Sequence, residues 1–528
     1  MSEIGWSACG AEGVVAAGKP EAVAAGIGVL KSGGNAVDAA VATLLALSVT
    51  DYGLFAIGGE VALMFYSAKT QKVKVLSGLG GAPLSPKAID WYMEYGIGHG
   101  GIKTAPVPAA LDLCITALKL YGTLSFESAV TPTLALIPCV QEEWSPNLAL
   151  TMLKLIETES QITGSREVKL TAVRDRFYKG DMADVLDRYY TRNNSFLRKA
   201  DLEAHTTRVE EPVAVRYGDY TVYKCGSWTQ GPTLCQALRL LKGYNLKEMG
   251  FLSPDYIHVL VEALKLALAD RDEYYADPLF AEVPIEALIS DEYTNLRQEL
   301  IDIEHASSDI MPGDPFIPTA RKESHRGESW KGGTTTCVVS DRWGNVVAAT
   351  PSANGPYSVC EELGISHGTR LSSLNTAPYH PNCIAPGKRP RITLTPTIAV
   401  SDNGSVLAMS VAGGDRQDQT SLNCFLNVVE FGMTPAKAVT APRFATGHHQ
   451  DSFRPDANRE LTVVARTSLT ASAAISDEVV TELRKRGHQV TSTPDPIAAP
   501  VMLLQDAQTG QTQAAGDPRA GRHASAVE

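Results

Sequence analysis

Gly332-Gly333-Thr334-Thr335-Thr336 sets two glycines directly before a run of hydroxyl side chains, and Ser352 supplies another hydroxyl further on. Two β-prone runs, 334–340 and 346–350, flank the polar segment Asp341–Asn345 with its glycine, which predicts a β-hairpin. With Ser340 opposite Val346, Thr334 falls opposite Ser352, and Asn354 lies just beyond the strand. Directly opposed Cβ atoms sit about 4.5–5.5 Å apart, near enough for one hydroxyl to orient the other. The glycines leave the backbone before Thr334 open to close approach by a reacting group. A second candidate is Gly413-Gly414, which precedes a helix predicted over 420–431. Two glycine amides at a helix start are unhindered donors at the positive end of the dipole, suited to an oxyanion. Taken singly, the first feature is also what a plain threonine-rich strand looks like, and the second what any helix start looks like. A hydroxyl is a poor nucleophile without a base, and none of the eleven histidines sits in a recognisable triad pattern.

The elements that would position these residues read as mixed α/β. A strand over 13–17 leads to a helix from Pro20 that stops at Gly33-Gly34. Asn35 then caps an alanine-rich helix over 36–48, with Asp38 in its first turn. Gly58-Gly59-Glu60 opens a strand over 61–66 that pairs with 72–76; the glycines suit a tight turn or, less specifically, an anion cradle. A helix follows over 109–121. The charged run 165–195 reads as a solvated helical surface. A strand over 220–223 and a helix after Gly231-Pro232-Thr233 precede a strongly periodic helix over 255–275, in which Asp270 and Arg271 read as a bracing ion pair, with a catalytic role as the alternative. Residues 305–331, rich in serine, proline and mixed charge, predict an exposed, mobile loop directly before Thr334.

The 528 residues are 44 % hydrophobic and 20 % charged, enough to bury a large core. A net charge of −12 argues against nucleic acid or an anionic membrane as partner. The amino terminus lacks the basic start and apolar core of a signal peptide, and the longest apolar stretch, Ala39–Val49, is too short for a membrane span, so a cytoplasmic location is expected. Nine scattered cysteines show no metal spacing and no disulfide framework; Cys337 should point away from Thr334 along the strand. No cofactor or metal is expected.

Gly-Gly-Thr-Thr-Thr followed by Asp341-Arg342-Trp343-Gly344-Asn345-Val346-Val347 resembles the start of the small subunit in the gamma-glutamyltransferase (gamma-glutamyltranspeptidase) family of N-terminal-nucleophile hydrolases. Gly33-Gly34-Asn35-Ala36-Val37-Asp38-Ala39-Ala40, Ala269-Asp270-Arg271 with Tyr275–Pro278, Pro386–Pro390, Leu394–Thr397 and Gly413–Gln419 extend the resemblance, which runs patchily from about 13 to 520. It implies a four-layer αββα sandwich built as one composite domain from two fragments of one precursor, 1–333 and 334–528, cut between Gly333 and Thr334. It also implies a zymogen in which the freed Thr334 is the nucleophile and Ser352 assists it. Gly413 and Gly414 would hold the oxyanion, and Asn354 would contact substrate. The two fragments would stay together, with a homodimer of such heterodimers left open.

Glutathione-cleaving members clamp the α-carboxylate of a γ-glutamyl group with an arginine; here that place falls near Asp90, with Lys87 the nearest cation. The acidic residue that binds their α-amino group is unmatched in Arg370–Leu374, and their serine pair corresponds to Ile392-Thr393. Arg370 and Thr393 become substrate-binding candidates, Arg370 toward a carboxylate, with a surface ion pair as its alternative. The reading is a self-processing amidohydrolase or acyltransferase of γ-glutamyl or similar small amides, with a place in glutathione metabolism. The alternatives are a non-glutamyl amidase, of oxamate or cephalosporin-acylase type, and a non-catalytic binding homologue.

Overall fold

The computed structural model describes residues 4–316, 333–353, 355, 358–455, 463 and 465–527. Its strands form two seven-stranded sheets. The first runs His523–Ala526, Gly13–Ala17, Cys337–Asp341, Val346–Ser352, Glu60–Ser67, Lys72–Gly78 and Arg208–Glu210 from edge to edge. The second runs Ser7–Gly10, Thr512–Gly516, Ala499–Gln505, Val406–Ala412, Thr397–Ser401, Tyr220–Lys224 and Val213–Tyr217. All neighbours in both sheets are antiparallel.

Side chains alternate across each strand. Val14, Ala16, Met64, Val338 and Ala348 of the first sheet meet Ile398, Ala408, Val501 and Leu503 of the second in one apolar layer. Their alternates, Val15, Leu63, Val339 and Val347, face helices such as Pro20–Lys31, Ala36–Thr50 and Ala110–Tyr121. On the far side, Ala399, Leu407 and Met502 pack against Pro232–Leu241, Pro254–Tyr274 and Gln417–Val429. The αββα sandwich is therefore present, and each sheet draws strands from both sides of Gly333.

The helix Ala36–Thr50 is buried along almost its whole length because its alanines let neighbours approach from every side. Its N-terminus carries a capping box: the Asn35 side chain accepts from the Val37 and Asp38 amides, and Asp38 accepts from the Asn35 amide at 2.9 Å. Asp341, in the hairpin turn, accepts from the Ala36 amide at 2.9 Å through one oxygen and from the Trp343 and Asn345 amides through the other. One carboxylate thus ties the hairpin to a helix N-terminus, where negative charge is favoured.

Several expectations need correction. The charged run holds two helices, Arg166–Tyr178 and Asp181–Arg192, that bury Leu170, Phe177, Leu186 and Tyr190 in the core, so it is amphipathic and not merely a solvated surface. Asp270 and Arg271 do not pair with each other, since each side chain is taken up by other partners. Asp270 instead receives Arg297, and Arg271 reaches Asp272 and Asp415. The described part of the predicted mobile loop is tied to the long helix, with Gly313 donating to Asp270 and Lys265 donating to the Ser307 carbonyl; residues 317–332 lie outside the described residues. Near there, His258, Glu262 and His488 cluster in the core, but the Lys265 ammonium occupies Glu262 at 2.6 Å and the Asp302 carbonyl accepts from His258. Among the described residues no helix is long and apolar enough to cross a membrane.

Asp341→Ala would strand three amides, two of them in the hairpin turn. The expected loss is about 3 kcal/mol, read as a lower midpoint in urea denaturation.

Candidate active site

The hairpin register is the one read from sequence: Ser340 opposes Val346, and Cys337 opposes Ala349. The Thr335 amide continues the ladder onto the Pro351 carbonyl at 3.0 Å, which sets Thr334 opposite Ser352. Ser352 lies on the same strand face as Ala348 and Thr350, toward the second sheet; the Thr350 hydroxyl meets that of Ser410 at 2.8 Å. Cys337 sits on the other face, in the helix-side core, as expected. Thr334 is only 5 % exposed. The Ser352 hydroxyl donates to the carbonyl oxygen of Gly333, the group joined to the Thr334 nitrogen.

Behind Ser352 lies Arg370, brought there by close backbone packing. Gly58 bridges His367, and the Thr369 amide donates to the Ala353 carbonyl at 3.1 Å. A Cβ on Gly59 would stand 2.3 Å from the Ser352 carbonyl oxygen, and one on Gly368 would stand 1.9 Å from that of Ala353. The Gly58-Gly59 pair therefore permits close chain-on-chain contact. Arg370 is fully buried. Its Nε donates to Glu60 at 2.6 Å and its Nη2 to the Ser352 Oγ at 2.7 Å. Arg370 is thus no surface ion pair. Burial pushes the Glu60 carboxyl up, with Arg370 opposing. The second oxygen of Glu60 and Nη1 of Arg370 make no hydrogen bond among the described residues.

Gly413 and Gly414 adopt φ of 155° and 58°, values that favour glycine. They lead through a 3-10 turn, Gly414–Arg416, into the helix Gln417–Val429, which starts and ends a little earlier than the sequence pattern suggested. Asp415 fixes this turn: it receives Arg271 at 2.5 Å and the Ser452 amide at 3.2 Å, while Gln230 donates to the Gly414 carbonyl at 3.3 Å. Phe453 joins the two halves of the site. A Cβ on Gly414 would lie 3.0 Å from its ring, and the Arg370 guanidinium carbon lies 5.5 Å from the ring centre.

Of the remaining candidates, Thr393 is buried, its carbonyl accepting from the Gln417 side chain at 2.8 Å and its hydroxyl without a hydrogen-bond partner among the described residues. Asn354 lies outside the described residues. Lys87 and Asp90 are exposed on the helix Pro86–Tyr95. Glu60 and Phe453 were not singled out as site residues from sequence. Glu60 had a faint signal, the glycine pair before it; Phe453 had none, since it belongs to no periodic run.

Burial alone would raise the Asp415 carboxyl, but Arg271, with help from His449 and Ser452, holds it well below the usual range. Its stabilising effect is therefore present above the ordinary carboxylate pKa and fades as pH falls toward the depressed value. Asp415→Asn should cost about 3 kcal/mol at neutral pH. Denaturation curves of variant and parent should converge below about pH 4.

A family model described as Gamma-glutamyltranspeptidase matches residues 22–138 and 144–527. The Glutathione hydrolase proenzyme of Bacillus subtilis (strain 168) is 28 % identical over 555 residues, spanning 96 % of this chain and 90 % of that protein. The Acylase ACY 1 proenzyme of Pseudomonas sp. (strain SE83) is 30 % identical over 527 residues, spanning 92 % of this chain and 88 % of that one. The solved structure of LmbA2991HD superposes with a TM-score of 0.87 at 32 % identity, over 98 % of each chain. With the sandwich, the hairpin register and these matches together, the chain belongs to the gamma-glutamyltranspeptidase family.

Proposed function

We propose that this chain is a self-processing amidohydrolase that works through Thr334. The observation that carries the reading is the Ser352 hydroxyl donating to the Gly333 carbonyl beside the Thr334 hydroxyl-bearing residue. In maturation, the Thr334 Oγ attacks the Gly333 carbonyl carbon. The hydroxyl proton ends on the departing nitrogen, leaving an ester between Gly333 and Thr334 Oγ. Water then opens the ester to a Gly333 carboxylate and a free Thr334. The α-amino group so exposed has an ordinary pKa of about 7.7–8.0, so it can take the Thr334 hydroxyl proton in turnover without a histidine. Attack on a substrate amide gives an acyl-threonine, with the Gly413 and Gly414 amides as oxyanion donors, and water or an amine releases the acyl group. The names of the relatives, glutathione hydrolase and acylase proenzymes, support both a cut precursor and acyl chemistry.

For the acyl group, the reading favours a small or apolar acyl over a γ-glutamyl zwitterion. Of the residues at the clamp positions, Arg370 is engaged by Glu60 and Ser352, while Lys87 and Asp90 are exposed on a surface helix. A site without the clamp leaves a substrate charge unpaired, which costs much affinity. A γ-glutamyl amide remains the second reading, favoured by the glutathione hydrolase relatives.

On a denaturing gel the natural chain should give fragments of 333 and 195 residues, and Thr334→Ala one band of 528. Because both sheets interleave strands from each side of the cut, the fragments should co-elute in native gel filtration. Processed protein should release amine from an uncharged short-chain acyl anilide at least about tenfold faster than from γ-glutamyl anilide or glutathione. A cleaved Thr334→Ala chain would refute the threonine mechanism.

A further inference from the structure

Resting on that reading, we infer that Arg370, held by Glu60, is a positioning residue for the self-cleavage step: it directs the single proton of Ser352 onto the Gly333 carbonyl. The argument is one of hydrogen-bond direction. A guanidinium has five N–H donors and no acceptor. The 2.7 Å contact from Arg370 Nη2 to Ser352 Oγ therefore makes the serine oxygen an acceptor there. A hydroxyl has one proton, and the contact on the other side of Ser352 is a carbonyl, which cannot donate. The polarity of the chain Arg370 to Ser352 to Gly333 is thus fixed. Without the arginine, the serine proton is free to turn to other acceptors.

Charge strengthens the same arrangement. A hydroxyl that accepts from a cation becomes a better donor, and such charge-assisted contacts are stronger than neutral ones. As Thr334 Oγ bonds to the Gly333 carbon, the carbonyl π pair moves onto oxygen, and that developing negative charge meets the polarised Ser352 O–H. When the C–N bond breaks, the pair returns and the Thr334 proton leaves with nitrogen, so Ser352 and Arg370 end as they began. Glu60 makes the device sustainable: it balances a guanidinium that has no exposure to water and sits opposite Ser352 in the sheet register. Phe453 covers the guanidinium from the side of Gly414.

The test follows the conversion of the 528-residue precursor in cell-free synthesis, stopped with denaturant at intervals. Arg370→Met should slow cleavage by about 10- to 100-fold, with Arg370→Lys, which keeps a donor, intermediate. If Arg370 acts through Ser352, the double variant Ser352→Ala with Arg370→Met will be no slower than Ser352→Ala alone. Because Arg370→Met leaves the buried Glu60 without its partner, Glu60→Gln with Arg370→Met is measured beside it. That pair removes both charges, keeps the volume and should show the same slow cleavage with a thermal midpoint near the parent's. Cleavage of Arg370→Met or of the neutral pair at the natural rate would overturn the inference, as would additive slowing in the double variant. A natural chain that never cleaves would instead overturn the proposed function, and so separates the two.

Discussion

The site depends on antiparallel pairing between strands that lie far apart in the chain. Val346–Ser352 is fixed on one side by Cys337–Asp341 and on the other by Glu60–Ser67. The first pairing sets Thr334 across from Ser352, and the second sets Glu60 across from the same serine. A shift of one residue in either ladder would turn Ser352 toward the helical layer and remove it from Gly333. The close-packed interior between the sheets, rich in alanine and valine, admits no such shift.

Within that frame the charged groups behind the serine and the glycine turn are enclosed. Isolated buried charges are costly, and here they occur as pairs: Glu60 with Arg370, and Arg271 with Asp272 and Asp415. The two groups meet across Phe453, so the glycine turn and the serine beside Thr334 are held by one connected set of contacts. Rigid support of this kind suits electrostatic stabilisation, where donors must be in place before charge develops.

The same interleaving bears on maturation. Strands Gly13–Ala17, Glu60–Ser67 and Tyr220–Lys224 precede Gly333, yet each pairs with a strand that follows Thr334. Opening one peptide bond removes no ladder hydrogen bond among these, so the sandwich is as well bonded after a cut as before. The Asp341 carboxylate adds a further tie, joining the hairpin turn to the start of Ala36–Thr50.

Local chemistry was enough to read the hairpin and its register, because a short polar turn between two β-prone runs leaves little freedom in pairing. It was enough for the Asn35 cap, the alanine-rich buried helix and the position of Gly413-Gly414 before a helix, all of which rest on residues adjacent in sequence. The stripe of Leu170, Phe177, Leu186 and Tyr190 was hidden by the charges around it. Arg297 beside Asp270, Asp415 beside Arg271 and Glu60 beside Arg370 were not legible, because each lies on a different element of the fold. Sequence determined that a threonine follows two glycines, opposite a serine. Only the tertiary fold decided that a buried arginine and glutamate stand behind that serine, since the contact needs Gly59 and Gly368 to let three backbone segments meet, and a linear pattern carries no record of which segments meet.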